Sequence, residues 1–197
     1  MKDVRQIDTQ KLVLLALLTA IIAMLQSLAA LFPLYPFTLT LVLVPMVIGS
    51  ALISPWAGAW LGAVFGFVVL ITGNANLFLA LDPAATISVV ILKGALAGLA
   101  AGAVYKLLAK KSKTIAVIAA AIVCPIVNTG IFIIGSYMFF LPVVMDFAEH
   151  FGHDNATAII FLGFIGINFP LELGINLVLS PAVVRLVQIG QDRRAQS

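Results

Sequence analysis

The sequence contains few charged residues. Asp, Glu, Lys and Arg make up 10% of its 197 residues, whereas 62% are apolar and the mean hydropathy is +1.17. Soluble domains carry about 25% charged residues, so this composition indicates an integral membrane protein. Almost no sequence is left for a soluble catalytic domain. We therefore predict one membrane domain over residues 1–197.

Cysteine and catalytic motifs are also scarce. Cys124 is the only cysteine, which excludes an intramolecular disulfide and a cysteine-based metal cluster. The motifs GxGD, HExxH, GxSxG and the Walker lysine loop are missing from the sequence. We predict a protein that is not an enzyme and needs no cofactor or metal. His150 and His153, which lie among acidic residues, are interpreted as part of a solvated outer loop.

What the sequence does contain is six apolar segments. They predict an all-α bundle of six transmembrane helices, in which the last segment exceeds the ~20 residues of a span and is expected to tilt or to kink at Pro170. Between the third and fourth segments we expect an irregular loop through Asp82 and Pro83. The segments cover about 12–31, 38–53, 55–72, 86–108, 115–141 and 158–187.

The basic residues predict the orientation. Ten of the eleven Lys and Arg residues precede the first segment, separate the fourth from the fifth, or end the chain. With six spans these three clusters share one side, and the positive-inside rule makes both termini cytoplasmic. The pI of about 9.2 therefore reflects topology and not nucleic-acid binding. The ten residues are Lys2, Arg5, Lys11, Lys106, Lys110, Lys111, Lys113, Arg185, Arg193 and Arg194.

Polar side chains inside the apolar segments are candidates for a binding site. Asn168, Glu172 and Asn176 recur every four residues and form one ladder on a helix. A carboxylate at the centre of a membrane helix costs about 2.5 kcal/mol or more, so the ladder should face the protein interior. It either lines a ligand cavity or only joins helices, and the same two readings apply to Asn128. Lys93 is the other charged residue within a segment.

Helix rise gives the expected depths of these groups. Counted from the outer ends of their segments, Lys93 lies roughly 10 Å deep and Glu172 roughly 20 Å deep. Asn168 should therefore lie nearer to Lys93 than Glu172 does. Small residues predict where helices approach closely. Glycines recur every four residues in the third and fourth segments, at Gly58, Gly62, Gly66, Gly94, Gly98 and Gly102.

The whole chain resembles the substrate-binding S-component of an energy-coupling factor (ECF) vitamin transporter. Residues 15–20, LALLTA, are similar to the AxxxA face of the family's first helix. Residues 34–49, LYPFTLTLVLVPMVIG, resemble its first outer loop and second helix, and residues 54–66, SPWAGAWLGAVFG, resemble its third. Residues 128–130 and the segment LELGINLVLSPAVV are most similar to the pantothenate branch.

The resemblance implies a function and partners. S-components bind a vitamin in a pocket that opens outward, join a membrane scaffold subunit and two cytoplasmic ATPases, and topple in the membrane to release the vitamin. Such a protein lies in the plasma membrane of a prokaryote. Ala16 and Ala20 would contact the scaffold, and Tyr35, Asn74 and Asn76 would form the pocket rim.

Within that family the substrate expected is pantothenate. Lys93 would bind its carboxylate, and Asn128 and Asn168 its hydroxyl and amide groups. Glu172 would accept hydrogen bonds from the hydroxyls or pair with Lys93 when the pocket is empty. A pyridoxine-type, riboflavin or folate vitamin would instead need stacking aromatics, for which the chain offers Phe37, Phe132 and Tyr137. The rival reading is a stand-alone, ion-coupled secondary transporter that uses Lys93 and Glu172 as a proton relay.

Overall fold

The described part of the chain is built from helices and short turns. The computed structural model describes residues 9–31, 41–150 and 168–195, and within these residues it has no strand. The all-helical architecture predicted from the sequence is confirmed for this part. The helices are α1 (Thr9–Leu31), α2 (Leu43–Leu52), α3 (Pro55–Ile71), α4 (Asn76–Leu79), α5 (Pro83–Leu108), α6 (Lys113–Phe139), α7 (Leu141–His150) and α8 (Asn168–Ala195).

Four of the described helices are long and apolar enough to cross a membrane. They cover Thr9–Ala30, Pro83–Leu108, Lys113–Phe139 and Phe169–Gly190. Two further apolar helices are shorter: α2 has 10 residues and α3 has 17, which correspond to about 15 Å and 25 Å of helix. The hydrocarbon core of a bilayer is about 30 Å thick. The chain is thus a multi-pass membrane protein.

The start of α5 differs from the prediction. The Asp82 carboxylate accepts a hydrogen bond from the Ala85 backbone N–H (2.9 Å), and Pro83 occupies the first helical position. A side-chain cap followed by proline is a favourable helix start. The helix therefore begins at residue 83 instead of 86, and the region before it, expected to be irregular, contains the single turn α4. Lys93 consequently lies about 15 Å from the start of its helix.

Two other boundaries also differ. The segment after α6 was expected to be a solvated loop, but Leu141–His150 forms the helix α7. The apolar residues at the start of α7 include Val144, which is fully buried, so this end of the helix packs against the rest of the protein. The second apolar segment becomes helical only at Leu43, after Leu41 and Val42, and residues 38–40 lie outside the described part. The first ten residues predicted for the last segment, 158–167, lie outside it too.

A glycine seam joins α3 to α5. A Cβ atom on Gly62 would collide with the backbone carbonyl of Gly94, and a Cβ on Gly94 would collide with that of Gly62. The same reciprocal contact joins Gly58 to Gly98, while Gly66 faces the Val90 carbonyl. Residue numbers fall on one helix as they rise on the other, so the two helices are antiparallel. The close approach expected from the glycine spacing is confirmed, and it fixes the helix that carries Lys93.

Candidate functional site

Lys93 is partly buried, and its ammonium group contacts two phenylalanine rings. Its ammonium nitrogen is 5.1 Å from the ring centre of Phe132 on α6 and 5.8 Å from that of Phe65 on α3. A cation within about 6 Å of an aromatic face gains roughly 0.5 to 2 kcal/mol. The glycine seam allows this arrangement, because Gly94 brings the backbone beside Lys93 against α3. The rings hold a positive charge at a position where a membrane helix rarely has one.

Glu172 on α8 is the acidic residue that the sequence analysis proposed as a partner for Lys93. Its side chain is only 7% exposed, and α8 packs against α6, the helix that carries Phe132 and Cys124. Because Lys93 contacts Phe132, both helices that carry a charge in the interior of an apolar segment pack against α6. A buried pair of opposite charge is less costly than either charge alone. An anionic ligand that approaches Lys93 would compete with Glu172 for it.

The polar ladder of α8 turns inward, as expected. Glu172, Asn176 and Ser180 are all buried and recur every four residues. The Asn176 side-chain amide donates to the backbone carbonyl of Glu172 (2.8 Å), and the Ser180 hydroxyl donates to that of Leu177 (2.8 Å). These bonds satisfy groups within the helix, so Asn176 and Ser180 fix the local structure of α8. The side chain of Asn168 lies outside the described part.

A second stripe of four-residue spacing lies on α6. Cys124, Asn128 and Ser136 are buried and Phe132 is partly buried. The helix α6 packs against α8, and this stripe and the ladder both lie on buried faces of the two helices. The oxygen atoms of the Asn128 amide and the Ser136 hydroxyl have no hydrogen-bond partner among the described residues. Buried polar groups are nearly always paired, so these two atoms are available to a ligand or to water.

Aromatic rings close the space beside Phe132. Phe78, on the single turn α4, meets Phe132 edge to face with ring centres 5.9 Å apart, and it meets Phe140 at 5.0 Å. Phe140 in turn contacts Phe139 at 6.4 Å. Such pairs add about 0.5 to 1.5 kcal/mol each beyond their burial. The short helix α4 is therefore anchored over the site through Phe78.

The structure describes only some of the residues that were predicted to form the pocket rim or to stack on a ligand. Asn74 is partly buried and Asn76 is exposed in the turn between α3 and α5, on the same segment as Phe78. Tyr35 and Phe37 lie outside the described part. Of the other two aromatic candidates, Phe132 contacts Lys93, and Tyr137 is 36% exposed. The structure therefore brings Lys93 against Phe132, and it buries Asn128 one helical turn from Phe132 on α6 and Glu172 on α8.

The sequence analysis missed five participants, namely Phe65, Phe78, Phe140, Ser136 and Gln26. Phe65 and Phe78 are ordinary apolar residues in apolar segments, and nothing in their spacing distinguishes them. Gln26 is different, because it is a polar residue in the apolar helix α1, four residues after the buried Ile22 and eight after the buried Leu18. This four-residue spacing could have predicted from the sequence that Gln26 faces the core. Gln26 is 0% exposed, and neither its amide oxygen nor its amide nitrogen has a hydrogen-bond partner within the described residues.

The small residues of α1 face away from this core. Ala16 and Ala20 are exposed, as are Val13, Leu17 and Met24 on the same helix. One hydrogen bond, from the Trp60 indole to the Thr19 hydroxyl (3.3 Å), ties α1 to α3 beside them. α1 thus has a core face with Leu18, Ile22 and Gln26 and an outer face with the two alanines.

An open apolar groove of about 350 Å³ lies on a different face of α8. It is lined by Pro170, Leu171, Gly174, Ile175, Val178 and Leu179. At 100° per residue these side chains centre on the side of the helix opposite to Glu172 and Asn176. The groove is therefore separate from the polar site, and its lining is of the kind that lipid covers.

Comparison with protein families gives one result. The family model described as ECF transporter, substrate-specific component, matches residues 10–184. The match extends from the first residues of α1 to the second half of α8 and includes every residue of the site described above. Neither curated proteins nor solved structures gave a match.

Proposed function

Because the chain belongs to the ECF transporter substrate-specific component family, we propose that it is the subunit that binds pantothenate for an ECF-type importer. Members of this family bind a small-molecule substrate and work in the membrane with a T (scaffold) subunit and A (ATPase) subunits. The observation that carries the choice of pantothenate is Lys93. Its ammonium group contacts Phe65 and Phe132, and α6, the helix of Phe132, also carries the buried amide of Asn128 and the buried hydroxyl of Ser136.

The chemistry of the site suits a small anion with hydroxyl and amide groups. The pantothenate carboxylate would bind the ammonium group of Lys93 and take over its neutralisation from Glu172. The free oxygen atoms of Asn128 and Ser136 would then accept hydrogen bonds from the ligand. Glu172 would accept bonds from the ligand hydroxyls at the far end from the carboxylate. Asn168, Asn74, Asn76 and Tyr35 complete the proposed pocket and its rim.

The aromatic cluster supports a second candidate ligand class. Phe78, Phe132 and Phe140 form a continuous set of rings next to Lys93. A vitamin with a flat ring, such as a pyridoxine-type vitamin, riboflavin or folate, would stack on such a surface. The ligands differ in what they require of Lys93, because pantothenate carries a carboxylate that can pair with it, whereas pyridoxine and riboflavin have no carboxylate.

One titration separates these ligands. The purified full-length protein is titrated with pantothenate, pyridoxine, riboflavin and folate, and binding is measured by calorimetry. We expect pantothenate to bind most tightly, with the affinity for the three ring compounds at least about tenfold lower, which corresponds to about 1.4 kcal/mol. Tighter binding of any ring compound would replace pantothenate by that vitamin. No binding of any of the four would contradict the proposed pocket.

We further propose six spans with both termini in the cytoplasm. The short helices α2 and α3 would complete the four long ones as spans, and α1, α5, α6 and α8 would then place their basic ends on one side. The basic side chains described there, Lys106, Lys110, Lys111, Lys113 and Arg185, are exposed. This orientation follows from the positive-inside rule and puts Ala16 and Ala20 in the cytoplasmic half of α1.

The exposed alanine face is the proposed contact with the scaffold. Ala16→Trp should remove the scaffold and the two ATPases from the purified complex while vitamin affinity stays unchanged. The reason is steric: an indole ring would hold apart two helices that approach through small residues. The measurement is co-purification of the co-expressed subunits, with vitamin titration of the same sample. The plasma membrane of a prokaryote is the proposed site of assembly.

The matched control places the same bulk elsewhere. Ala103 on α5 is also exposed and small, and Ala103→Trp should leave the complex intact. Equal loss in both variants, or an intact complex with Ala16→Trp, would assign the contact to another surface. Uptake by the isolated chain in liposomes, driven by an ion gradient alone, would favour a stand-alone secondary transporter instead.

A further inference from the structure

Gln26 is the most unusual buried residue in the described part of the chain. Its side chain is fully buried on the core face of α1, in line with Leu18 and Ile22. Both ends of its amide lack a hydrogen-bond partner among the described residues. An amide removed from water without a partner is costly. A buried polar residue that carries this cost in an otherwise apolar stripe is a candidate contact for a ligand.

The position of Gln26 along the bundle matches that of the Lys93 site. The bond between the Trp60 indole and the Thr19 hydroxyl sets α1 and α3 side by side. In a bundle whose helices alternate in direction, α1 and α3 run the same way. Gln26 lies seven residues beyond Thr19, and Phe65 lies five beyond Trp60. At 1.5 Å per residue the two are within roughly 3 Å of each other along the helix axes, and Phe65 is one of the rings that hold Lys93.

Gln26 also belongs to a set of buried polar groups with the same property. The Asn128 and Ser136 oxygen atoms on α6 lack partners among the described residues as well, and both side chains are more than nine-tenths buried. Other buried polar side chains do have partners: the Ser50 hydroxyl donates to the Gly98 carbonyl (3.0 Å), and the Asn176 amide to the Glu172 carbonyl. The orphaned atoms come from two separate helices, α1 and α6. A ligand that reached both helices would supply partners for these atoms.

We propose that Gln26 is a specificity-determining contact to the ligand, and this rests on the proposed function, namely vitamin binding at Lys93. An amide offers a donor and an acceptor 2 to 3 Å apart. It therefore selects a ligand group that itself presents an acceptor and a donor close together, which a hydroxyl, an amide or a ureide does and a carboxylate or a hydrocarbon does not. Lys93 would bind the anionic end of the ligand and Gln26 the neutral polar end.

The proposal gives α1 two roles. Its core face contacts the ligand through Gln26, and its outer face carries Ala16 and Ala20, the proposed scaffold contact. Occupancy of the pocket would then satisfy the one costly residue of the helix that the scaffold touches.

The test uses the full-length purified protein and three variants. Gln26→Met keeps the length and volume of the side chain and removes both hydrogen-bonding groups, while Gln10→Met makes the same change at an exposed position of the same helix. Gln26→Asn keeps the amide group on a shorter side chain, and it replaces Gln26→Met in the test if the methionine variant does not fold. Each protein is melted without ligand and titrated with pantothenate and with a pantothenate analogue that lacks one hydroxyl group.

We expect Gln26→Met to melt at a higher temperature than the wild type without ligand, because an unsatisfied amide has been replaced by an apolar group of the same shape. Its pantothenate affinity should fall about tenfold or more, the usual effect of losing hydrogen bonds from a buried site. Removing the contacted ligand hydroxyl should weaken binding to the wild type but have little further effect on Gln26→Met, which identifies a direct pair. Gln10→Met should change none of these values.

Each alternative gives a different result. If Gln26→Met is more stable but binds pantothenate as the wild type does, Gln26 is an unsatisfied or water-bridged core residue and the inference is wrong. In that case the proposed function is unaffected. If neither pantothenate nor any of the three ring vitamins binds the wild type, the proposed function and this inference both fail.

Discussion

Gly62→Ala is expected to lower the free energy of unfolding by about 3 kcal/mol, near the upper end of the usual cost of overpacking a well-packed core. The added methyl group would meet the backbone carbonyl of Gly94, which cannot move aside as a flexible side chain can. The reciprocal contact of Gly58 with Gly98 and the contact of Gly66 with the Val90 carbonyl prevent α3 and α5 from separating at one point only. The measurement is thermal or denaturant unfolding of the protein in detergent, with size-exclusion chromatography to detect aggregation.

The chain offers a matched control for this change. Gly174 also lies inside a helix, but no described atom lies within 4 Å of the position that its Cβ would occupy. Gly174→Ala should therefore be neutral or should stabilise the protein by up to about 1 kcal/mol, because alanine favours helix over glycine. Similar losses in both variants would show that glycine is needed for flexibility instead of close packing. A neutral Gly62→Ala would contradict the seam itself.

Lys93→Met is expected to reduce pantothenate affinity by about 10- to 100-fold. A hydrogen bond to a charged group contributes about 1.5 to 3 kcal/mol, and each 1.4 kcal/mol corresponds to a factor of about ten. Methionine retains the apolar length of the side chain and its contact with Phe65 and Phe132, so the change isolates the charge. The measurement is a calorimetric titration of folded protein, with the melting temperature recorded to exclude unfolding.

Lys106→Met is the control for the lysine. It makes the same substitution on the same helix, at an exposed position in the last turn of α5, and should leave the affinity unchanged. Unchanged affinity in Lys93→Met would remove the carboxylate role from Lys93. A loss that is equally large for an uncharged vitamin would indicate that Lys93 maintains the pocket structure and does not recognise an anion.

The pair of Lys93 and Glu172 shows what a membrane sequence reveals about a site. Both residues stand out because a charge in an apolar segment is rare and costly, and this cost is independent of the fold. Their relative depth was less predictable. The estimate started from assumed helix ends, and α5 begins three residues earlier than expected. Errors of this kind shift a side chain by about 1.5 Å per residue, enough to change which groups meet.

Gln26 and Phe78 illustrate two kinds of omission. The stripe of Leu18, Ile22 and Gln26 is visible in the sequence, but a single amide in an apolar helix is weak evidence until burial and missing partners are known. Phe78 lies in a segment that was expected to be irregular, and only the turn α4 brings it to Phe132. Helix α7 was missed for a related reason, since the charged and histidine residues of its second half obscured its apolar first half.

The sequence by itself determined the class of protein, the long apolar helices, the glycine seam and the presence of two buried charges. These follow from composition and spacing, because the bilayer excludes charge and unpaired backbone groups whatever the tertiary structure. Only the tertiary structure decided that Lys93 contacts Phe65 and Phe132, that Glu172 is buried, and that Gln26 is buried without a hydrogen-bond partner among the described residues. Those facts depend on which faces of separate helices meet, and helix faces are chosen by packing between distant parts of the chain.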